Sequence, residues 1–312
     1  MLAIVCAMVF ASCEKDEKEL KAPEYEEYSA RYEVTTPSSG IQSVEFTSAG
    51  NYIILEDNGY RGDEEGNKVS GKKARFIQAV SRLQNTRAYS NIIEGSYTID
   101  ADGNYVLDGF GKIKVVQKGG NVYSLVVIYP DGSEKTLEAA KKTQYPDSVM
   151  TNNLCRTWDA KKVQLYCKID KYKFDETVDV RDYPNLVKKF VKWVSSIGDF
   201  EDGDIDEGDV EIDLLPQQVI FSKAGTYMVK YLNNSLAIST WAWKNQDEGI
   251  LRYSWNYDDM DDYDEAGIVR VAFKGDGMLI TESLLDDYDG DDDEDDDYYG
   301  DFRMDLTWHF VQ

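Results

Sequence analysis

The stretch Val44-Glu45-Phe46-Thr47-Ser48-Ala49-Gly50-Asn51-Tyr52-Ile53-Ile54 returns 175 positions later as Val219-Ile220-Phe221-Ser222-Lys223-Ala224-Gly225-Thr226-Tyr227-Met228-Val229. Each copy reads as strand, tight turn, strand. Val and Phe fall on alternate positions, Ala-Gly supplies the turn, and Tyr with two apolar residues restarts the period of two. Two copies of one antiparallel β-module follow, and a chain of 312 residues has room for two domains of ordinary size.

Working outward from the first copy, a module over 31–148 is expected. Its further strands fall at 93–99, 105–107, 112–117 and 122–129. Between them stand Asp102-Gly103-Asn104, Gly119-Gly120 and Pro130-Asp131-Gly132, residues that accept the backbone angles of hairpin turns. Residues 74–83 have helical spacing. The second copy lies in a module over 149–312. It opens on a long strand with Val163, Leu165, Cys167 and Ile169 on one face. One amphipathic helix follows. Pro184 sits near its first turn, and Leu186, Val187, Phe190, Val191, Trp193, Val194 and Ile197 form the apolar stripe. Lys188, Lys189 and Lys192 stand off it, and Gly198 is the expected stop. A strand about every ten residues then runs to the C-terminus, the spacing of an up-and-down barrel or a half-open relative. The expected fold is mainly β: two tandem antiparallel meander modules, with one helix in the second.

Aromatic residues make up 12%, with 22 Tyr against 6 Pro, as in a folded, β-rich chain. The net charge of −25 is local. Residues 199–213 hold nine acids, 257–265 six and 286–301 eleven, with no Lys or Arg among them; elsewhere 33 acids face 34 bases. A neutral body with three acidic loops offers phosphates no basic stripe, so nucleic acid is excluded as a partner.

The N-terminus carries an address. Residues 2–11 are an apolar run too short to span a bilayer, as in the core of a signal peptide. The run ends in Phe10-Ala11-Ser12-Cys13. This resembles a lipobox, in which small residues let the signal peptidase reach the backbone before a Cys that carries diacylglycerol. Residues 1–12 would then be the signal, Cys13 the lipidated residue and 13–30 a charged tether. Lys15-Asp16-Glu17 directly behind it resembles the surface-export signal of lipoproteins in Bacteroidota-type Gram-negative bacteria. The resemblance implies an outer-membrane lipoprotein facing the cell exterior, bound to the membrane by its lipid anchor. Cys155 and Cys167 would remain as buried thiols.

The second module resembles the lipocalin-like domains of secreted lipoproteins in that bacterial group. The resemblance rests on Leu154-Cys155-Arg156-Thr157-Trp158 at its start, on Phe221-Ser222-Lys223-Ala224-Gly225-Thr226-Tyr227, and on Thr240-Trp241-Ala242-Trp243. It implies a meander of about eight strands around a small apolar cavity. The first module matches by its hairpin and by Gly95-Ser96-Tyr97-Thr98-Ile99, but lacks a Leu-x-x-x-Trp start. An incomplete or differently closed barrel is therefore expected there.

Candidate sites are few. His309 is the one histidine, placed by alternation on the outer face of the last strand, opposite Met304, Leu306, Trp308 and Phe310. A Ser-His-Asp device would need it, and no G-x-S-x-G motif accompanies it. His/Cys zinc sites fail for want of ligands. Trp158, Trp241 and Trp243 are candidates to stack on a ligand, with barrel core as the competing role. Asp202, Asp204, Asp206 and Asp213 offer oxygens at places one, three, five and twelve of a calcium-type loop. Glu207 fills the sixth place, where such loops have Gly. The expectation is a non-catalytic binding or accessory protein with a small-molecule, glycan or protein partner. Its alternatives are calcium-assisted adhesion through the acidic loops and a carboxylate-based hydrolase.

Overall fold

The computed structural model describes residues 20–56, 92–197, 215–254, 266–284 and 302–312. The segment 74–83, whose spacing fits a helix or a strand, lies outside them. Eight antiparallel strands in simple succession form the first barrel: β1 (Ala30–Val34), β2 (Ile41–Phe46), β3 (Asn51–Glu56), β4 (Ile92–Ile99), β5 (Tyr105–Leu107), β6 (Gly111–Gly119), β7 (Val122–Ile128) and β8 (Glu134–Lys141). β8 returns to pair with β1, Ala140 opposite Glu33 and Lys141 opposite Tyr32, so the barrel is closed. This corrects the expectation of an incomplete barrel. Closure does not need a Trp on the first strand, because Tyr32 fills that place. Its ring lies 5.3 Å from Tyr123, while Phe46 stacks on Tyr105 at 3.7 Å. Val44, Ile54, Ile113, Leu125, Val127 and Leu137 pack around these rings without exposed surface.

The second barrel is built from β9 (Thr157–Ile169), β11 (Pro216–Phe221), β12 (Thr226–Tyr231), β13 (Leu236–Asn245), β14 (Ile250–Ser254), β15 (Ala266–Lys274), β16 (Gly277–Ser283) and β17 (Phe302–Val311), closed by β17 on β9. β9 is longer than its neighbours, and one of its sides is shared. Its start pairs with β11, Trp158 opposite Val219, and its end with β10 (Tyr172–Asp179), Cys167 opposite Phe174. β10 therefore stands off the barrel as a flap.

Two helices stop the ends of this barrel. α1 (Val149–Leu154) was not expected from the sequence. The Ser148 hydroxyl accepts the Thr151 N–H at 3.0 Å, satisfying one of the orphan donors of its first turn. Met150, Thr151, Asn153 and Leu154 are buried beside Trp158 and Trp241. α2 (Tyr183–Ser196) starts with Pro184 in its first turn. Leu186, Val187, Phe190, Val191 and Val194 press onto Leu165, Cys167, Ile169, Met304 and Leu306, at the end opposite Trp158. Each fully buried side chain of this kind contributes about 1.5–3 kcal/mol.

The repeated hairpins meet back to back. Their inward residues, Val44, Phe46, Tyr52 and Ile54 in one and Val219, Phe221, Tyr227 and Val229 in the other, serve separate cores. Their outward residues share one: Ile53 and Leu55 pack with Ile220, Met228 and Ile238. A crossed pair of hydrogen bonds accompanies this cluster. Arg31 of β1 donates to Thr226 at 2.9 Å, and Thr157 of β9 donates to Asn51 at 2.9 Å. Asn51 and Thr226 are equivalent in the repeat. Arg31 and Thr157 are equivalent too, opposite Glu45 and Ile220 in their barrels. The contact thus has the reciprocal form of a twofold interface.

Part of the expected tether is structured. Tyr25 lies 5.0 Å from Tyr97, Glu26 pairs with Lys223, and the Leu20 N–H donates to Asn153 at 2.9 Å. Met228 has no exposed surface, so Met228→Ala is expected to lower the unfolding free energy by about 2–5 kcal/mol. Urea unfolding of the full chain measures this. A loss within about 0.5 kcal/mol, the range of a surface substitution, would mean that the outer faces do not pack.

Candidate functional site

The tryptophans of the second barrel are fixed from within. Trp158 has no exposed surface and donates its indole N–H to the Leu154 carbonyl at 3.0 Å. Trp241 is 1% exposed and donates to the Ser222 carbonyl at 3.0 Å. Tyr145, in the segment joining the barrels, stacks on it at 4.7 Å. Trp243 is partly buried, edge-on to Trp241 at 5.6 Å, and donates to the Thr151 hydroxyl at 3.0 Å. All three belong to one cluster with α1. Neither Trp158 nor Trp241 presents an indole N–H or a ring face to solvent, so the core role accounts for both. Trp243 binds the barrel to its α1 stopper.

Cys13, Lys15, Asp16 and Glu17 lie outside the described residues, as do Asp202, Asp204, Asp206 and Asp213 of the calcium candidate. Among the described residues no group of three or more His, Cys, Asp or Glu side chains could hold a metal ion. Cys155 and Cys167 are buried and unpaired with each other. Burial, with Asp305 nearby, pushes the Cys167 thiol up to about 12. Cys155 precedes β9 at the end of α1 rather than lying in the strand.

An outward-facing groove, absent from the sequence reading, lies where β10 meets α2. It measures about 530 Å³ and is lined by Lys173, Phe174, Asp175 and Glu176 of the strand and Lys189, Lys192 and Trp193 of the helix. Its two lining rings, Phe174 and Trp193, pack over the fully buried Phe190. Phe174 meets Phe190 edge-on at 5.3 Å, and Trp193 lies 5.5 Å from Phe174 and 5.8 Å from Phe190. Two ion pairs make its rim: Lys189 with Glu176 at 2.9 Å and Lys173 with Asp175 at 3.0 Å. Asp175 also accepts Gln164 at 2.7 Å, and that hydrogen bond, then Lys173, holds its carboxyl below the usual range. The helix half was legible as a Lys-bordered apolar stripe that contains Trp193. The strand half carried a usable signal in the alternation of Phe174, Glu176 and Val178.

With this geometry in view, comparison with known protein families found no matching family, and comparison with curated proteins found no relative. What the fold defines is a class: a double antiparallel β-barrel, each barrel of eight strands and compatible with lipocalin-like domains.

His309 faces outward on β17, next to Leu279 of β16 and Lys162 of β9. Partial burial, then Lys162 and Lys274, lower its pKa below the ordinary 6.5. An unfolded chain takes up this proton first as pH falls, so stability declines from about pH 6.5 to the folded midpoint and is flat below it. A single imidazole resonance titrating below 6.5 is the expected NMR result, with the slope in this window lost in His309→Gln. A midpoint at or above 6.5 would contradict the placement of the two lysines.

Proposed function

We propose that this chain is a lipid-anchored, non-catalytic binding or accessory protein of the outer membrane, displayed on the cell surface and built from two lipocalin-like domains. The observation that carries the anchor is Phe10-Ala11-Ser12-Cys13 after an apolar run, followed at once by Lys15-Asp16-Glu17. Cys13 takes the lipid, and the Lys-acid-acid triplet directs the chain outward.

Support for binding rather than chemistry comes from what the second barrel does with its polar and aromatic groups. Trp158, Trp241 and Trp243 hold the core and the α1 stopper, and Cys155 and Cys167 are buried as thiols. His309, the residue any His-based device would use, sits on the outer wall between lysines. α1 and α2 stop the two barrel ends, which favours an external recognition surface over a ligand held inside.

Cells fed a radiolabelled fatty acid should label the protein, and Cys13→Ala should lose the label entirely. External protease should degrade it on intact cells. Replacing Lys15, Asp16 and Glu17 together with Ala should protect it from that protease while leaving the label in place. Label persisting in Cys13→Ala would sink the anchor, and protection of the unaltered chain would sink surface display.

A further inference from the structure

The groove between β10 and α2 runs against the charge of the chain. The protein carries −25 overall, yet α2 contains three lysines and no acid, and the groove sets Lys173, Lys189 and Lys192 against Asp175 and Glu176. Lys189 and Lys173 are matched by their ion pairs. Among the described residues Lys192 pairs with no acid. Trp193 differs in a similar way from the tryptophans of the core. Trp158, Trp241 and Trp243 donate their indole N–H groups within the protein. The Trp193 indole N–H has no partner among the described residues, and its ring is partly open at the groove floor.

We propose that this groove is a binding site for a glycan bearing an acidic sugar, with Trp193 stacking on the sugar ring and Lys192 pairing with its carboxylate. The proposal rests on the reading of the chain as a binding protein and names the site and the class of ligand. Three features select this class together. The partly open face of Trp193 suits the C–H face of a pyranose ring, and its indole N–H keeps one edge for hydrogen bonding. Asp175 and Glu176, each held by a lysine, keep carboxylate oxygens that can accept the hydroxyl protons a sugar supplies. Lys192 supplies one unmatched positive charge, which a single carboxylate answers and a neutral sugar leaves idle. The volume lies within the range of small-ligand clefts.

The test is calorimetric titration of the full chain with oligogalacturonate and with the corresponding neutral galactose oligomer, probes that differ in their carboxylates. Oligogalacturonate is expected to bind at least tenfold more tightly than the neutral oligomer. Lys192→Glu should weaken it at least tenfold, and Trp193→Ala should weaken both probes. Lys161→Glu, an exposed lysine of β9, should change neither. Trp193 also touches Phe190, so far-ultraviolet circular dichroism must show that its variant folds; the exposed Lys192 keeps the proposal testable if it does not. Equal affinity for the two probes, unchanged affinity in Lys192→Glu, or no binding of either probe would overturn the site. The length of the recovered oligomer is read separately. Shortening would overturn the non-catalytic function, while intact oligomer with unaltered Lys192→Glu binding would overturn the site alone.

Discussion

A buried arginine holds the two barrels in register. Arg31 is 1% exposed, and a guanidinium taken out of water is tolerated only when charge and hydrogen bonds replace the solvent. Glu33 supplies a carboxylate at 2.8 Å, and Thr226 of the other barrel accepts a hydrogen bond from the guanidinium. Thr226 donates its own hydroxyl hydrogen bond to Glu45, itself 2% exposed. Lys142 stands close by, its amine pulled down by burial and then by Arg31. Thr226 stands between Arg31 and Glu45 only while the hairpins are back to back. Separating the barrels would strip Arg31 and Glu45 of their shared partner, which makes the polar cluster a specifier of one mutual orientation. The apolar contribution comes from Ile53, Met228 and their neighbours, which would tolerate small rotations by themselves.

The repeat was legible because alternation in a half-buried strand is strict. Phe46, Phe221, Tyr52 and Tyr227 had to face inward, and they do. The meaning of the intervening positions was not legible. Glu45 and Ile220 differ in every local property, yet both turn toward the other barrel, since which faces of two modules meet is decided by long-range packing. β8 and β10 escaped the sequence reading for a related reason. Residues 134–141 are Glu-Lys-Thr-Leu-Glu-Ala-Ala-Lys and have weak strand propensity; the pairing of Leu137 and Ala139 into a closing barrel makes them a strand. α1 is six residues long, too short for its periodicity to stand out.

The candidate site divides along the same line. Lys189, Lys192 and Trp193 could be placed on one helix from spacing alone. That β10 would lie beside them, bringing Phe174 and two carboxylates, depended on β9 being long enough to serve two neighbours on one side. The tryptophans that looked most like a ligand platform in the sequence turned out to be structural, because Leu154 and Ser222 offered their carbonyls to the indole N–H groups. Sequence gives the residue type that can stack. It does not say whether the ring's faces will be covered.

The docked segment ahead of β1 has a mechanical consequence. Leu20 is fastened to α1 of the second barrel, Tyr25 lies on the first, and Glu26 reaches Lys223 in the turn of the second hairpin. A pull on the N-terminal side is therefore divided between both barrels before it reaches a strand. It is carried across the seam between them, so the back-to-back hairpins share the load with the β1–β8 closure. A tension applied there, by a flowing medium or a bound polymer, would meet the seam's packing and its buried ion cluster all at once.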